Sequence, residues 1–318
     1  IHERLVGSEM CIRDRFNIVS CNMRNSNVVL AVVVTFNRLD ELKVCVAALK
    51  SQSYGSLNIL VVNNGSTDGT KEWLTQQSDV IVINQENLGG AGGFYTGMKY
   101  MYDNGYEWLV MMDDDGIPDK NEIKNLIQSY DKVVSAVGKE VILNALVADK
   151  DDKDYTAFLW ARGSRRTTKI TELQKEQFFN DIHPFNGTLV KRSVIEKIGM
   201  IKKEMFIWGD EKEYMARAIH NGIGLYTVPA AIHYHPKEKG RKGNIIPLIS
   251  NYQILVKPEK MSHYYYRNEG FVYNTYPEKK KHMIAFCTAQ IVYNITHFRF
   301  VELAKFIKYF REGMHNKY

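Results

Sequence analysis

The sequence predicts an α/β protein with a mostly parallel sheet flanked by helices, and three observations predict it. Short, continuous apolar runs recur at Val28–Val34, Asn58–Val62, Val80–Ile83 and Trp108–Met112, as expected of strands buried on both faces. The segments between them carry apolar residues at three- to four-residue spacing, the period of a helix packed on a sheet. Each run ends in a polar, glycine-rich or acidic turn, and ligands of open α/β sheets gather at the carboxyl ends of strands.

The elements follow in order. The first strand, Val28–Val34, runs into Thr35-Phe36-Asn37-Arg38, and a helix follows with Leu39, Leu42, Val46 and Leu49 on one face. The second strand ends at Val62 and meets Asn63-Asn64-Gly65-Ser66-Thr67-Asp68-Gly69-Thr70, a turn suited to capping a helix over Lys71–Gln77. The third strand leads to Asn87-Leu88-Gly89-Gly90-Ala91-Gly92-Gly93-Phe94 and a helix reaching about Asn104. The fourth, Trp108–Met112, ends in Asp113-Asp114-Asp115. Beyond Pro118 the pattern suggests a helix over Asp119–Tyr130 and a strand over Val133–Val137. Residues 148–175 are polar and poorly periodic and read as an insertion or flap. Phe185–Val190 reads as a strand, Ser193–Lys197 as a short helix closed by Gly199, and Val228–His235 as a further strand.

Composition bounds the function. Hydrophobic residues make up 45% and charged residues 25%, which fits a globular chain with a sizeable core. The net charge is +6, and Leu255–Tyr318 alone holds eleven Lys/Arg against five Glu, so the whole excess lies in the C-terminal fifth. Such an asymmetry points to an anionic surface or ligand. Cys11, Cys21, Cys45 and Cys287 show no paired spacing, consistent with a reducing, cytoplasmic setting. No apolar run reaches the ~18 residues of a membrane span. Residues 1–27 lack sustained periodicity, and Leu5–Arg15 looks like a translated adapter string, so this segment is expected to be foreign to the fold.

Three stretches carry chemistry. Three adjacent carboxylates at a strand end repel one another; they form either a solvated acidic turn or a site for a hard divalent cation such as Mg²⁺ or Mn²⁺. The glycine cluster permits close approach of a ligand to a helix N-terminus, or simply a tight helix–strand junction. It matches neither the dinucleotide fingerprint nor a P-loop. In Phe206-Ile207-Trp208-Gly209-Asp210-Glu211, an aromatic segment delivers two carboxylates to a helix start, where capping alone would also favour them. Alternation puts His233 and His235 on one face of a strand.

Together these residues resemble the inverting family 2 glycosyltransferases of the GT-A fold, over about Val28–Pro236. The resemblance rests on an ordered series: Val-Thr-Phe-Asn-Arg, Asn-Gly-Ser-Thr-Asp-Gly-Thr, Asn-Leu-Gly-Gly, Asp-Asp-Asp, Trp-Gly-Asp-Glu and His-Tyr-His. The glycine block, the triple Asp and Tyr264-Tyr265-Tyr266-Arg267-Asn268 are most similar to bacterial galactofuranosyltransferases, with rhamnosyltransferases next. The resemblance implies a GT-A catalytic domain over 28–250, followed by a Tyr-rich, basic, mostly helical region over 251–318. It implies that Thr35, Asn37 and Arg38 meet the nucleotide, that Asn64, Ser66 and Asp68 hold its base, and that Asn87, Gly89 and Gly90 approach the sugar-nucleotide. Asp113 and Asp115 would coordinate Mn²⁺ or Mg²⁺, completed by His235 with His233 as fallback. Asp114 is grouped with the nucleotide-binding residues but points the other way along the strand, so Asp114→Asn should be the mildest of the three changes. Glu211 would be the catalytic base and Asp210 its alternative.

The implied reaction moves a sugar, galactofuranose from a UDP donor or rhamnose from a dTDP donor, to a glycan or lipid-linked glycan of a surface polysaccharide. Two rivals are a nucleotidyltransferase, whose Gly-rich basic signature is missing at Thr35–Arg38, and a non-catalytic nucleotide-sugar- or nucleic-acid-binding module. No RNA-binding motif supports the latter, and no nucleic-acid partner is expected. Lys237–Lys242 forms a basic loop. Leu303, Phe306, Ile307 and Phe310 line one face of a final basic helix, which would either pack on the catalytic domain or lie on the anionic inner face of the membrane.

Overall fold

The structure is a computed structural model and describes residues 27–159, 168–237, 242–247 and 252–317. The chain begins with β1 (Val29–Thr35), α1 (Leu39–Lys50), β2 (Leu57–Asn63), α2 (Thr70–Leu74), β3 (Ile81–Asn84), α3 (Gly89–Asp103) and β4 (Trp108–Asp113). It continues through β5 (Ile117–Pro118), α4 (Glu122–Val137), β6 (Val141–Asp149), α5 (Ile170–Leu173), β7 (Asn186–Lys191), α6 (Arg192–Ile198), α7 (Asp210–His220) and β8 (Gly224–His235). A small hairpin of β9 (Lys242–Asn244) and β10 (Gln253–Leu255) precedes three helices, α8 (Ser262–Thr275), α9 (Pro277–Thr296) and α10 (Phe300–Met314).

The main sheet has the order β3-β2-β1-β4-β7-β6-β8-β5. Its first four strands are parallel, while β7 runs antiparallel to both β4 and β6. Side-chain alternation divides the core. Val29, Ala31 and Val33 face α1 and α4, where Leu42, Val46, Leu49, Ile123, Leu126 and Val133 are buried. Leu30, Val32 and Val34 face α3, α6 and α7, against Phe94, Met98, Val194, Ile195 and Tyr214. Both faces of β1 are therefore dry, which is why its sequence is a continuous run of apolar residues.

One element differs from expectation. Val133–Val137 is not a strand but the last turns of α4. Its β-branched composition suggested a strand, yet Ile123, Leu126, Tyr130 and Val133 continue a single helical stripe into the core. Gly138, at φ 68°, ends the helix in the left-handed conformation, and the strand falls after it, at Val141–Asp149. Within the expected flap, Thr156 bridges Ala148, Tyr155 bridges Lys169, and α5 packs Ile170 and Leu173 beside Phe179. The described ends of that segment are thus anchored to β6. Of the suspected foreign segment 1–27, all but Asn27 lies outside the described residues, as do residues 238–241 of the basic loop.

The final helix also departs from its membrane reading. Phe306 and Phe310 are buried, with Leu303 beside them, against Tyr266, Tyr273 and Phe286, so this face joins α8 and α9. Only Ile307 of the four expected residues is exposed. Among the described residues no helix is long and apolar enough to cross a membrane.

Candidate active site

The parallel pairing of β1 with β4 sets Val34 opposite Asp113, so the turns after both strands open at one sheet edge. There Thr35 Oγ1 donates to Asp114 Oδ2 at 2.8 Å, and Arg38 Nη1 reaches Asp114 Oδ1 at 3.2 Å and Asp115 Oδ2 at 2.8 Å. The short strand β5 pairs with β8, Ile117 opposite Tyr234 and Pro118 opposite His233, which draws the acidic turn to the end of β8. His235 Nε2 then lies 3.2 Å from Asp115 Oδ1.

The three carboxylates have different environments. Burial, followed by the charges of Asp115 and Asp114, pushes the Asp113 carboxyl up to about 7. Burial raises Asp114 to about 6 despite the Thr35 hydrogen bond and the Arg38 charge. Burial works against ionisation of Asp115 too, but the hydrogen bond and charge of His235 and the charge of Arg38 bring it down to about 2. Asp114 is the inward member, as alternation requires. From that buried position it accepts from Thr35 and shares Arg38 with Asp115.

Among the described residues no three His, Cys, Asp or Glu side chains converge closely enough to hold an ion as they stand, and Arg38 supplies the counter-charge. The chemistry of the donors nevertheless fits. His235 Nδ1 donates to the Pro236 carbonyl at 2.7 Å, which leaves Nε2 facing the Asp115 carboxylate, protonated in the ion pair and a lone pair once that proton is displaced. Two lone pairs at that separation need a proton or a cation between them, and Asp113 is a destabilised hard-oxygen donor alongside. His233, the fallback, is fully buried; its Nδ1 bonds Glu122 at 3.0 Å, and its Nε2, with no hydrogen-bond partner, lies against Gly116 of the acidic turn.

The turns after β1 and β2 are zipped together. Asn37 N donates to Ser66 Oγ, Thr67 N donates to Asn37 Oδ1, and Asp68 accepts from the backbone of both Leu39 and Thr70. Asn37, Ser66 and Asp68 therefore share one exposed rim. Asn64 does not face it. Its side chain is buried and spends its atoms on Gln85, Leu88 and Gly89, bracing the loop before α3. Asn87 caps that loop through Gly89 N.

The glycine block divides between the two readings offered for it. A Cβ on Gly93 would sit 2.4 Å from Val34, and one on Gly97 as close to Val32, so these two let α3 lie tightly on β1. Gly89, at φ 72°, abuts the Phe206 carbonyl, and Ala91 N donates to that same oxygen at 3.1 Å. Gly90 alone has open space beside its Cα.

The carboxylate pair stands at the N-terminus of α7. Asp210 is buried, and burial, then the charge and hydrogen bond of Glu211, hold its carboxyl well above the usual range; Asp113 also acts on it through space. Glu211 is partly exposed and accepts from Gly209 N at 3.1 Å. The approach to this pair is unusual: Phe206 and Trp208 are non-glycine residues at φ 63° and 58°, and Gly209 follows at 114°.

What holds this loop comes from the C-terminal region. Asn268 of α8, fully buried, directs Nδ2 to the carbonyls of Met205, Ile207 and Trp208 at 2.9, 3.0 and 2.9 Å, and Arg267 donates to the Glu204 carbonyl at 2.7 Å. Sequence reasoning assigned neither residue a role. The signal available was the polar Arg267-Asn268 pair closing a run of tyrosines.

A mostly parallel sheet with an acidic strand edge, a carboxylate pair at a facing helix and a helical appendage defines a nucleotide-sugar transferase of the GT-A fold. The chain belongs to glycosyl transferase family 2, whose sequence model matches residues 30–199, and it is a glycosyltransferase. The galactofuranosyltransferase GlfT1 of Mycolicibacterium smegmatis is 30% identical over 223 residues, 67% of this chain and 72% of that protein. The dTDP-rhamnosyl transferase RfbF of Shigella flexneri is 27% identical over 64% of this chain and 67% of its own length. The structure of S. aureus TarS 1-349 shares the fold with a TM-score of 0.52 at 12% identity, over 92% of each chain.

Proposed function

We propose that the protein transfers galactofuranose from UDP-galactofuranose to a glycan or lipid-linked glycan in surface polysaccharide synthesis, with inversion at the anomeric carbon. The observation that carries this reading is that Asp210, hydrogen-bonded to Glu211 at the start of α7, lies within electrostatic reach of Asp113 at the strand edge. The galactofuranosyl relative supports the donor. A dTDP-rhamnose donor is the second reading, favoured by the rhamnosyl relative.

In this reading Arg38, Asn37, Ser66 and Asp68 bind and orient the nucleotide, and Gly90 gives the donor room to approach α3. Asp113, Asp115 and His235 would hold a divalent cation, which neutralises charge on the departing diphosphate. Glu211 takes the proton of the acceptor hydroxyl. The new bond from that oxygen to the anomeric carbon forms as the carbon–diphosphate bond breaks, and the nucleoside diphosphate leaves with the electron pair. Asp210, whose carboxyl is raised by burial and then by Glu211, is hydrogen-bonded to Glu211 and keeps it in place. The catalytic unit (28–250) and the helical region (251–318) act together through Asn268. The enzyme would work at the inner face of the membrane in peripheral contact with anionic lipid.

The test is a panel of UDP- and dTDP-sugars with Mn²⁺ and a glycan acceptor. Transfer from UDP-galactofuranose, lost by about 10²–10⁴-fold in Glu211→Gln with nucleotide binding retained, is the expected result. Full activity of Glu211→Gln would move the base elsewhere, and absence of transfer from every sugar would end the reading.

A further inference from the structure

Helix α9 is packed on one side only. Gln290, Tyr293 and Asn294 are its buried residues, Tyr293 lies against Gly243 of the β9 hairpin, and Thr296 Oγ1 donates to the Ile245 carbonyl. The opposite face carries Ile284, Thr288, Ile291 and Ile295 at helical spacing, all exposed. The stripe continues into the turn before α10, where Phe298, Phe300 and Val301 are 82%, 59% and 75% exposed. Large apolar side chains in such a contiguous series mark an interaction surface.

Two further features give that surface a character. Phe298 occupies the left-handed position that ends α9, at φ 55°, where glycine is usual. A strained, solvent-facing phenylalanine there presents its ring outward, beside Phe300 at 6.4 Å. Lys280 and Lys281 lie exposed at the N-terminal end of this face, and at its other end the acidic Glu259 is paired with Arg299 of the turn at 2.7 Å. The one acidic residue of α9, Glu278, sits off the stripe against His220. Of the five glutamates in the last fifth of the chain, Glu269 and Glu302 are buried.

We propose that the exposed stripe of α9 and the Phe298–Val301 turn form the surface by which the protein docks on an anionic lipid bilayer, in place of the α10 face, which packs inward. The turn inserts its rings at the headgroup boundary while Lys280 and Lys281 meet lipid phosphates, the arrangement of an interfacial basic helix. This deepens the proposed use of a lipid-linked acceptor, but vesicle binding is read without any sugar transfer, so the two fail separately.

The experiment is co-sedimentation of the full chain with phosphatidylglycerol-containing and with pure phosphatidylcholine vesicles, alongside light scattering for mass. The wild type is expected to bind the anionic vesicles and to be released by salt. Each lysine near an anionic surface contributes about fivefold, so Lys280→Glu/Lys281→Glu should bind more than about tenfold weaker. Ile295→Glu/Phe298→Glu should lose binding while keeping the wild-type Tm. Equal binding of either variant and the wild type, or equal binding to both vesicle types, overturns the proposal. So does a dimer that Ile295→Glu/Phe298→Glu dissociates in a protein that binds no vesicle, since the occupant is then a second copy of the chain.

Discussion

His235 presents Nε2 to Asp115 Oδ1 at 3.2 Å while its Nδ1 is committed to the Pro236 carbonyl. The Pro236 carbonyl, just past β8, thus holds the proton on Nδ1 and turns Nε2 toward the acidic turn, as a donor to Asp115 when the ring is charged and as a lone pair for a cation when it is neutral. Chelation of divalent ions should abolish sugar transfer and added Mn²⁺ should restore it. His235→Ala should raise the Mn²⁺ concentration needed for half-maximal rate about tenfold or more, by analogy with loss of a coordinating contact. An unchanged metal titration would remove His235 from the ligand set.

Asp114 and Asp113 should separate in opposite directions. Asp114 anchors Thr35 and Arg38 from a buried position, so Asp114→Ala should cost about 1.5–3 kcal/mol of stability. Asp113→Asn should hold or raise the Tm near neutral pH, because it removes a carboxylate that burial and its neighbours already disfavour, yet it should lose activity. Thermal unfolding and a transfer assay on the two variants check both halves.

The Asp210 carboxyl, raised by burial and then by Glu211, makes a pH prediction whose sign is fixed. Its folded pKa exceeds the unfolded value of about 3.9, so the folded state holds a proton that the unfolded chain releases as pH rises. Stability from this group is complete below about pH 4 and falls toward the folded pKa. Asp210→Asn should therefore unfold at a higher temperature than the wild type at pH 7, with the difference shrinking to nothing as pH approaches 4. A constant difference across that range would contradict a buried, protonated Asp210.

Asn268 faces three backbone carbonyls, so its amide donors matter more than its volume. Asn268→Ala should lower kcat about 10–100-fold through misplacement of the Asp210–Glu211 loop, with the donor KM little changed. Asn268→Asp should be worse, because it aims carboxylate oxygens at the same carbonyls. Steady-state kinetics on the pair distinguish this positioning role from simple packing, for which Asp and Ala would rank the other way.

Gly89 and Gly90 are neighbours with different constraints. Gly89→Ala drives a Cβ to 2.0 Å from the Phe206 carbonyl at a positive φ and should destabilise by more than about 1 kcal/mol. Gly90→Ala meets nothing within 4 Å and should leave the Tm unchanged; any loss of donor affinity then reports approach of the ligand.

The sequence by itself determined the strands buried on both faces, the polar turns that end them and the order of the acidic and histidine motifs. Those features are local: a continuous run of β-branched residues has few places to go but the inside of a sheet. It misjudged Val133–Val137, where local propensity favoured a strand and packing of α4 on β8 and β6 favoured a helix. It located Asp113–Asp115 at a strand end, but only the pairing of β5 with β8 decided that His235 faces Asp115 and His233 does not. It turned Asp114 inward by alternation, but it marked Asn64 as a ligand-facing type, and only packing showed Asn64 turned inward to hold the loop before α3. Asn268 lies 57 residues beyond Glu211, and no spacing rule connects them. Contacts between residues so far apart depend on how three helices close against one loop, and that is settled by tertiary burial rather than by any local pattern.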